Sequence, residues 1–123
     1  QKAVDRVLEP HVQGKTKYLS YRHLGQIELL PLQDVLYLKA AGHYCEVYTR
    51  GGKMVLHDKS LEKLLTLLPP SFQRCHRSYA VSLAGIQAIR SEEGSQYWLS
   101  LINGAELPIG RTRIKSLKAA ILE

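Results

Sequence analysis

Apolar and polar residues alternate along most of the chain after residue 17, and that period of two predicts strands. Tyr18 to Arg22, Gln26 to Leu30 and Val35 to Ala40 read as short extended segments, with Gly25 marking the first turn and Pro31 the second break. Tyr44-Cys45-Glu46-Val47-Tyr48-Thr49 alternates into Arg50-Gly51-Gly52-Lys53, and Met54 to His57 continues as the return strand of a hairpin. The period then changes. Leu61, Leu64, Leu65 and Leu68 fall at i, i+3, i+4 and i+7, with Asp58 or Ser60 available as N-cap and Pro69-Pro70 as a stop, which predicts a short amphipathic helix. Ser78 to Leu83, Ile86 to Arg90 and Gln96 to Ile102 read as strands again, the last two joined by the turn-rich Ser91-Glu92-Glu93-Gly94-Ser95. Asn103-Gly104 turns the chain into Glu106 to Ile109, and Thr112 to Leu122 closes with a helical stripe of Ile114, Leu117 and Ile121. The predicted architecture is mostly β with two short helices.

Residues 1–16 do not fit this pattern. They are polar, contain Pro10 and Gly14, and show only a weak apolar period at Ala3, Val4, Val7 and Leu8, as expected of a linker with one helical turn. The chain starts at Gln1 with neither an initiator Met nor a signal-peptide pattern, so a linker from an N-terminal region outside this sequence is expected over 1–16, followed by one domain over 17–123. A length of 123 residues and a 45% hydrophobic fraction fit a single domain with a real core. No apolar run approaches the roughly 18 residues that span a bilayer, because Lys63 and Pro69-Pro70 break the longest candidate, so no membrane partner is expected. Two cysteines, Cys45 and Cys75, are too few for a disulfide framework, and the expected compartment is a reducing cytoplasm.

Charge changes the picture more than composition does. The formal balance is +6, and residues 63–91 and 107–122 carry eight basic side chains and no acid, against nine basic and eleven acidic residues elsewhere. A localised excess of this kind favours a polyanionic partner. Its centre is Phe72-Gln73-Arg74-Cys75-His76-Arg77-Ser78-Tyr79, where three cationizable side chains interrupt a strand-like segment. If that segment is extended, Arg74 and His76 share one side of it. Guanidinium forks suit phosphate oxygens or the O6/N7 edge of guanine, and the Ser78 hydroxyl suits a phosphate. The competing reading pairs Arg74 with a carboxylate such as Glu46 or Asp58 and packs His76 in the core.

The second cluster, Arg111-Thr112-Arg113-Ile114-Lys115 with Lys118, follows Leu107-Pro108-Ile109-Gly110 at the start of the last helix. Cations there oppose the helix macrodipole, and an approaching phosphate would supply a reason for them. The competing reading is a solvated helix face, which accounts well for Lys115 and Lys118 and less well for Arg111. His43 and Tyr44, in the loop Ala41-Gly42-His43-Tyr44, could meet a base or phosphate, or form an ordinary turn followed by a core tyrosine. The histidines and cysteines lack C-x-x-C or H-x-x-x-H spacing, and there is no G-x-S-x-G or phosphate-cradling glycine loop. No metal, cofactor or enzymatic activity is therefore expected.

These residues, taken in order, resemble the LytTR family of bacterial DNA-binding domains from about Ile27 to Leu122. The resemblance is carried by Asp34-Val35-Leu36-Tyr37-Leu38-Lys39-Ala40-Ala41-Gly42-His43-Tyr44 with Val47, by Ser60-Leu61 with Leu64 and Leu65, by Phe72 to Tyr79 with Val81, by Ile86, and by Leu107-Pro108-Ile109-Gly110-Arg111. It implies an elongated arrangement of small, mostly antiparallel sheets with short helices. It also implies the output half of a two-component response regulator, joined to an N-terminal phosphoacceptor receiver domain and bound as a dimer to repeated promoter sites, with loops entering successive major grooves. By motif position, the loop before the Tyr44 strand, the Arg74 to Ser78 segment and the Arg111 loop would contact double-stranded DNA. The family often carries Asn where Ser82 stands and Ser where Gly110 stands.

On this reading Arg111 and His43 take base edges, Arg74, Arg77, Ser78, Arg113 and Lys115 take the phosphate backbone, and Tyr44 and His76 belong to the same surface. The alternative from another class is a β-rich protein-interaction module that binds an acidic partner.

Overall fold

The computed structural model describes residues 17–122. The linker expected over 1–16 lies outside the described residues. Among the described residues ten strands form three antiparallel sheets. β1 (Tyr18–His23) and β2 (Gln26–Pro31) make a hairpin; β3 (Val35–Ala41), β4 (Tyr44–Thr49), β5 (Met54–His57), β6 (Phe72–His76) and β7 (Tyr79–Ser82) make a five-stranded sheet in the order β5-β4-β3-β7-β6. β8 (Ile86–Glu92), β9 (Gln96–Leu101) and β10 (Glu106–Ile109) make a meander. The helices are α1 (Leu61–Leu67) and α2 (Ile114–Leu122).

The turns form where the sequence placed them. Gly52 takes φ +91° between β4 and β5, and Thr49 clasps the return strand by accepting the Lys53 N–H on its hydroxyl at 3.0 Å. Ser60 caps α1 by accepting the Lys63 N–H at 3.2 Å. Pro108, which has no N–H to donate, sits in β10 at the edge of its sheet, where a missing donor breaks no ladder.

The five-stranded sheet carries a core on each face. Leu38, Cys45, Val47, Phe72 and Ala80 face α1 and the β1–β2 hairpin, together with Leu61 and Leu64. Leu36, Cys75 and Val81 face the meander and α2, together with Leu99, Leu101, Leu107 and Leu117. Buried His57 ties the first layer together: its Nδ1 accepts the Lys59 N–H at 3.1 Å, and its Nε2 donates to the Ser20 carbonyl at 2.7 Å.

Within the five-stranded sheet, two bulges decide which residues reach which core. One interrupts β3 between Val35 and Tyr37 and turns both Leu36 and Tyr37 to the meander side. The other interrupts β6 between Arg74 and His76. Directly opposed residues share a face, so Arg74 opposite Ala80 lies on the α1 side, and His76 opposite Tyr79 lies on the meander side. The expectation that Arg74 and His76 share one side is therefore overturned, because the extra residue reverses the alternation between them. The closing helical stripe is also narrower than expected. Leu117 is buried and Ile114 packs against the second core, whereas Ile121 stays 36% exposed.

The cysteines fall on opposite faces of the sheet, in different cores. Both are free thiols, and burial pushes Cys45 up to about 11 and Cys75 up to about 12. The thiolate is the reactive form, so both should resist a disulfide reagent such as DTNB near pH 8 in the native protein and react once denaturant unfolds it. Rapid labelling of either cysteine in the folded state would contradict the packing described.

Candidate nucleic-acid interface

Strand direction brings the candidate segments together. β3, β5 and β6 run toward one end of the five-stranded sheet, and β4 and β7 run away from it. The β3–β4 turn holds Gly42 at φ +68° and exposes His43 and Tyr44. At the same end the β6–β7 turn exposes Arg77 beside half-buried Ser78, and the Ala40 N–H donates to the Ser78 carbonyl at 2.8 Å, pinning the two turns to each other.

The Arg111 segment joins them by a backbone contact. The Gly110 N–H donates to the Cys75 carbonyl at 2.8 Å, and the Arg113 N–H returns to the Gly110 carbonyl at 2.9 Å, so the turn entering α2 is fastened to the end of β6. A Cβ at Gly110 would stand 3.9 Å from the Cys75 carbonyl, the His76 Cα and the Arg113 Cγ, an ordinary contact distance. Arg111 and Lys115 are exposed and Arg113 is half-buried. Among the described residues no carboxylate lies within ion-pair reach of Arg77, Arg111, Arg113 or Lys115. Among the described residues these four cations therefore meet no acidic partner.

His76 sits between the two basic turns. Its Nδ1 accepts the Ser78 N–H at 3.1 Å, and its ring tilts against Tyr79 with centroids 5.9 Å apart. With Tyr97, Trp98, Gly110 and Arg111 it lines a cleft of about 260 Å³ between the β6 end and the meander. Partial burial lowers its pKa from the usual 6.5, and the nearby charges of Arg77, Arg113 and Arg74 lower it further. A base whose folded pKa is depressed stabilises the fold fully above the unfolded value; as pH falls through 6.5 toward the folded value, the unfolded chain takes up the proton first and that contribution is lost. Unfolding in urea between pH 7.5 and pH 5 should therefore show wild type losing stability faster than His76→Gln. Parallel pH profiles for the two proteins would count against this environment for His76.

Arg74 and Arg90 are not free cations. Arg74 donates from Nη2 to the Arg77 carbonyl at 2.6 Å and from Nε to the His76 carbonyl at 3.3 Å; its nearest carboxylate is Glu62 at 3.9 Å, not Glu46 or Asp58. Arg90, counted in the basic window, is held by Glu92 and Glu106 at 2.7 Å each. Conversely, sequence reasoning missed Lys39. It lies opposite Tyr79 with its Nζ 6.0 Å from the ring centroid, at the same end as the basic turns. Its place two residues before Ala41, near the hairpin turn, was the available signal.

Residues 25–122 match the family profile of the LytTr DNA-binding domain. The chain belongs to the LytTR family. Its solved relatives include the LytTr DNA-binding domain of a methyl-accepting/DNA response regulator from Bacillus cereus, with a TM-score of 0.75 and 27% identity over 86% of this chain and 97% of that one. The transcriptional regulatory protein BtsR of Escherichia coli K12 is 35% identical over 117 residues, 95% of this chain and 48% of BtsR. The CO-responsive transcriptional regulator RcoM of Rhodospirillum rubrum is 35% identical over 95 residues, 76% of this chain and 40% of RcoM. The chain spans about half the length, or less, of these curated relatives. The LytTR domain is a DNA-binding output domain, and its mostly β architecture of small antiparallel sheets and two helices is the one found here. Among the described residues no helix is long and apolar enough to cross a membrane.

Proposed function

We propose that this domain reads promoter DNA in a sequence-specific way through the end of the five-stranded sheet, as the output half of a cytoplasmic two-component response regulator. Arg111 and His43 take base edges in the major groove. Arg77, Ser78, Arg113 and Lys115 take phosphates, and Tyr44 and His76 complete the surface between them. A receiver domain lies N-terminal to it in the full-length protein, and two copies bind repeated half-sites. The domain performs no chemistry and needs neither metal nor cofactor; its work is recognition.

The observation that supports this reading is the convergence of three exposed turns, distant in sequence, through the Ala40–Ser78 and Gly110–Cys75 backbone contacts. Strand ends and these backbone contacts anchor the turns, which suits groove recognition because an anchored turn loses less ordering entropy on binding. Unpaired guanidinium groups at such a surface release condensed counterions when they reach phosphates, so affinity should fall steeply with salt.

Selection of bound fragments from random and genomic DNA, followed by anisotropy titrations of the enriched site across a salt series, tests the reading. A discrete motif, bound about 1000-fold more tightly than unrelated duplex and with a salt slope of several units, is expected. Weak binding that is the same for every fragment would instead favour a module for an acidic protein partner.

A further inference from the structure

Arg74 has the composition of a DNA contact and the geometry of something else. Its side chain is only 21% exposed and leaves β6 on the α1 side, yet its guanidinium reaches round the end of the strand to two successive carbonyls, those of His76 and Arg77. Those carbonyls belong to the turn that presents Arg77 and Ser78. The bulge between Arg74 and His76 interrupts the ladder at this place, and beyond the His76–Tyr79 pair the turn is held by the Ala40–Ser78 contact, by the Ser78 N–H on His76 Nδ1 and by the Arg74 fork. A planar fork holds two acceptors in a fixed geometry, whereas an ammonium offers three donors that rotate freely on a flexible stem and fixes neither acceptor in a plane. Glu62, 79% exposed and 3.9 Å away, adds little to the arrangement.

We propose that Arg74 is a positioning residue of the DNA interface: by holding the His76 and Arg77 carbonyls it fixes the β6–β7 turn, so that Arg77 and Ser78 are pre-organised for phosphate. This inference rests on the reading of that turn as a phosphate contact. Arg74 acts through Arg77, and its own charge makes no contact with the backbone of the duplex. The effect of changing Arg74 should therefore depend on Arg77 being present. Two independent phosphate contacts would instead give additive losses.

The test is a double-mutant cycle of Arg74→Lys and Arg77→Ala, read by anisotropy on the enriched duplex across a salt series. Arg77→Ala should weaken binding and lower the salt slope by about one unit. Arg74→Lys keeps the charge, yet it should weaken binding about tenfold and also lower the slope, while weakening the Arg77→Ala protein less than twofold. In the free domain the Ser78 amide resonance should shift or broaden in Arg74→Lys, with the thermal transition recorded as a check on folding. Should the lysine variant not fold, Arg74→Gln carries the same cycle. Full affinity in the Arg74 variant, or an equal loss with and without Arg77, would make the positioning role wrong. An Arg77→Ala protein with unchanged affinity and slope would reject the phosphate contact itself, and the positioning role with it. Glu62→Gln should bind DNA as wild type does.

Discussion

Leu117→Ala should cost roughly 2–5 kcal/mol of stability, the range for truncating a buried leucine. Leu117 is 1% exposed and anchors α2 to the core shared by Leu36, Cys75, Val81, Leu99 and Leu107. Among the described residues of this nine-residue helix Leu117 is the buried side chain, and others that reach the core, such as Ile114, are half-buried, so little else on α2 holds it in place. For a domain of about 100 residues, each kcal/mol lowers the thermal midpoint by roughly 4–8 °C. The loss should extend to DNA binding, because the Leu117 N–H closes the first turn of α2 on the Arg113 carbonyl at 2.9 Å and so ties the core to the basic turn. Ile121→Ala, at a position of the same apparent stripe that remains 36% exposed, should cost less than about 1 kcal/mol, as expected for substitutions near the surface. Calorimetric midpoints of the two variants decide the matter: equal losses would mean that α2 is not seated as described.

That contrast shows what the sequence could and could not disclose. The hairpin from Tyr44 to His57 and the helix capped by Ser60 were legible because local chemistry determines them: a Gly-Gly turn, a change of period, a cap and a Pro-Pro stop. The two bulges were not legible, since an extra residue in a ladder answers to the partner strand rather than to its own neighbours. From the β6 bulge follow the two corrections at the site: Arg74 and His76 diverge, and the guanidinium of Arg74 returns to its own turn. The pairing of Arg90 with Glu106 likewise crosses strands whose register is set by tertiary contacts, so a window of sequence without acids overstated the free charge there. The convergence of the basic turns was foreseen from charge and from resemblance. The two backbone contacts that produce it, at Ser78 and at Cys75, could be found only in three dimensions.

Arg111→Ala should weaken binding to the preferred duplex by about 10- to 100-fold, or roughly 1–3 kcal/mol, and should relax selectivity at one position of the site. Arg111 is exposed, directly follows the glycine fastened to the end of β6, and has no carboxylate within reach among the described residues. A guanidinium held on a rigid turn can present two donors in one plane to the O6 and N7 atoms of a guanine. Truncation removes that recognition and leaves the fold intact, because the side chain belongs to neither core. The distinguishing variant is Arg111→Lys. A phosphate contact tolerates it, since a point charge serves an oxygen nearly as well; a bidentate base contact does not, and selectivity should fall almost as far as in the alanine variant. Anisotropy titrations against duplexes altered one base pair at a time provide the measurement. If both variants lower the affinity for every duplex by the same factor, Arg111 holds the backbone, and base recognition must come from the other groups at this end of the sheet, His43 first among them.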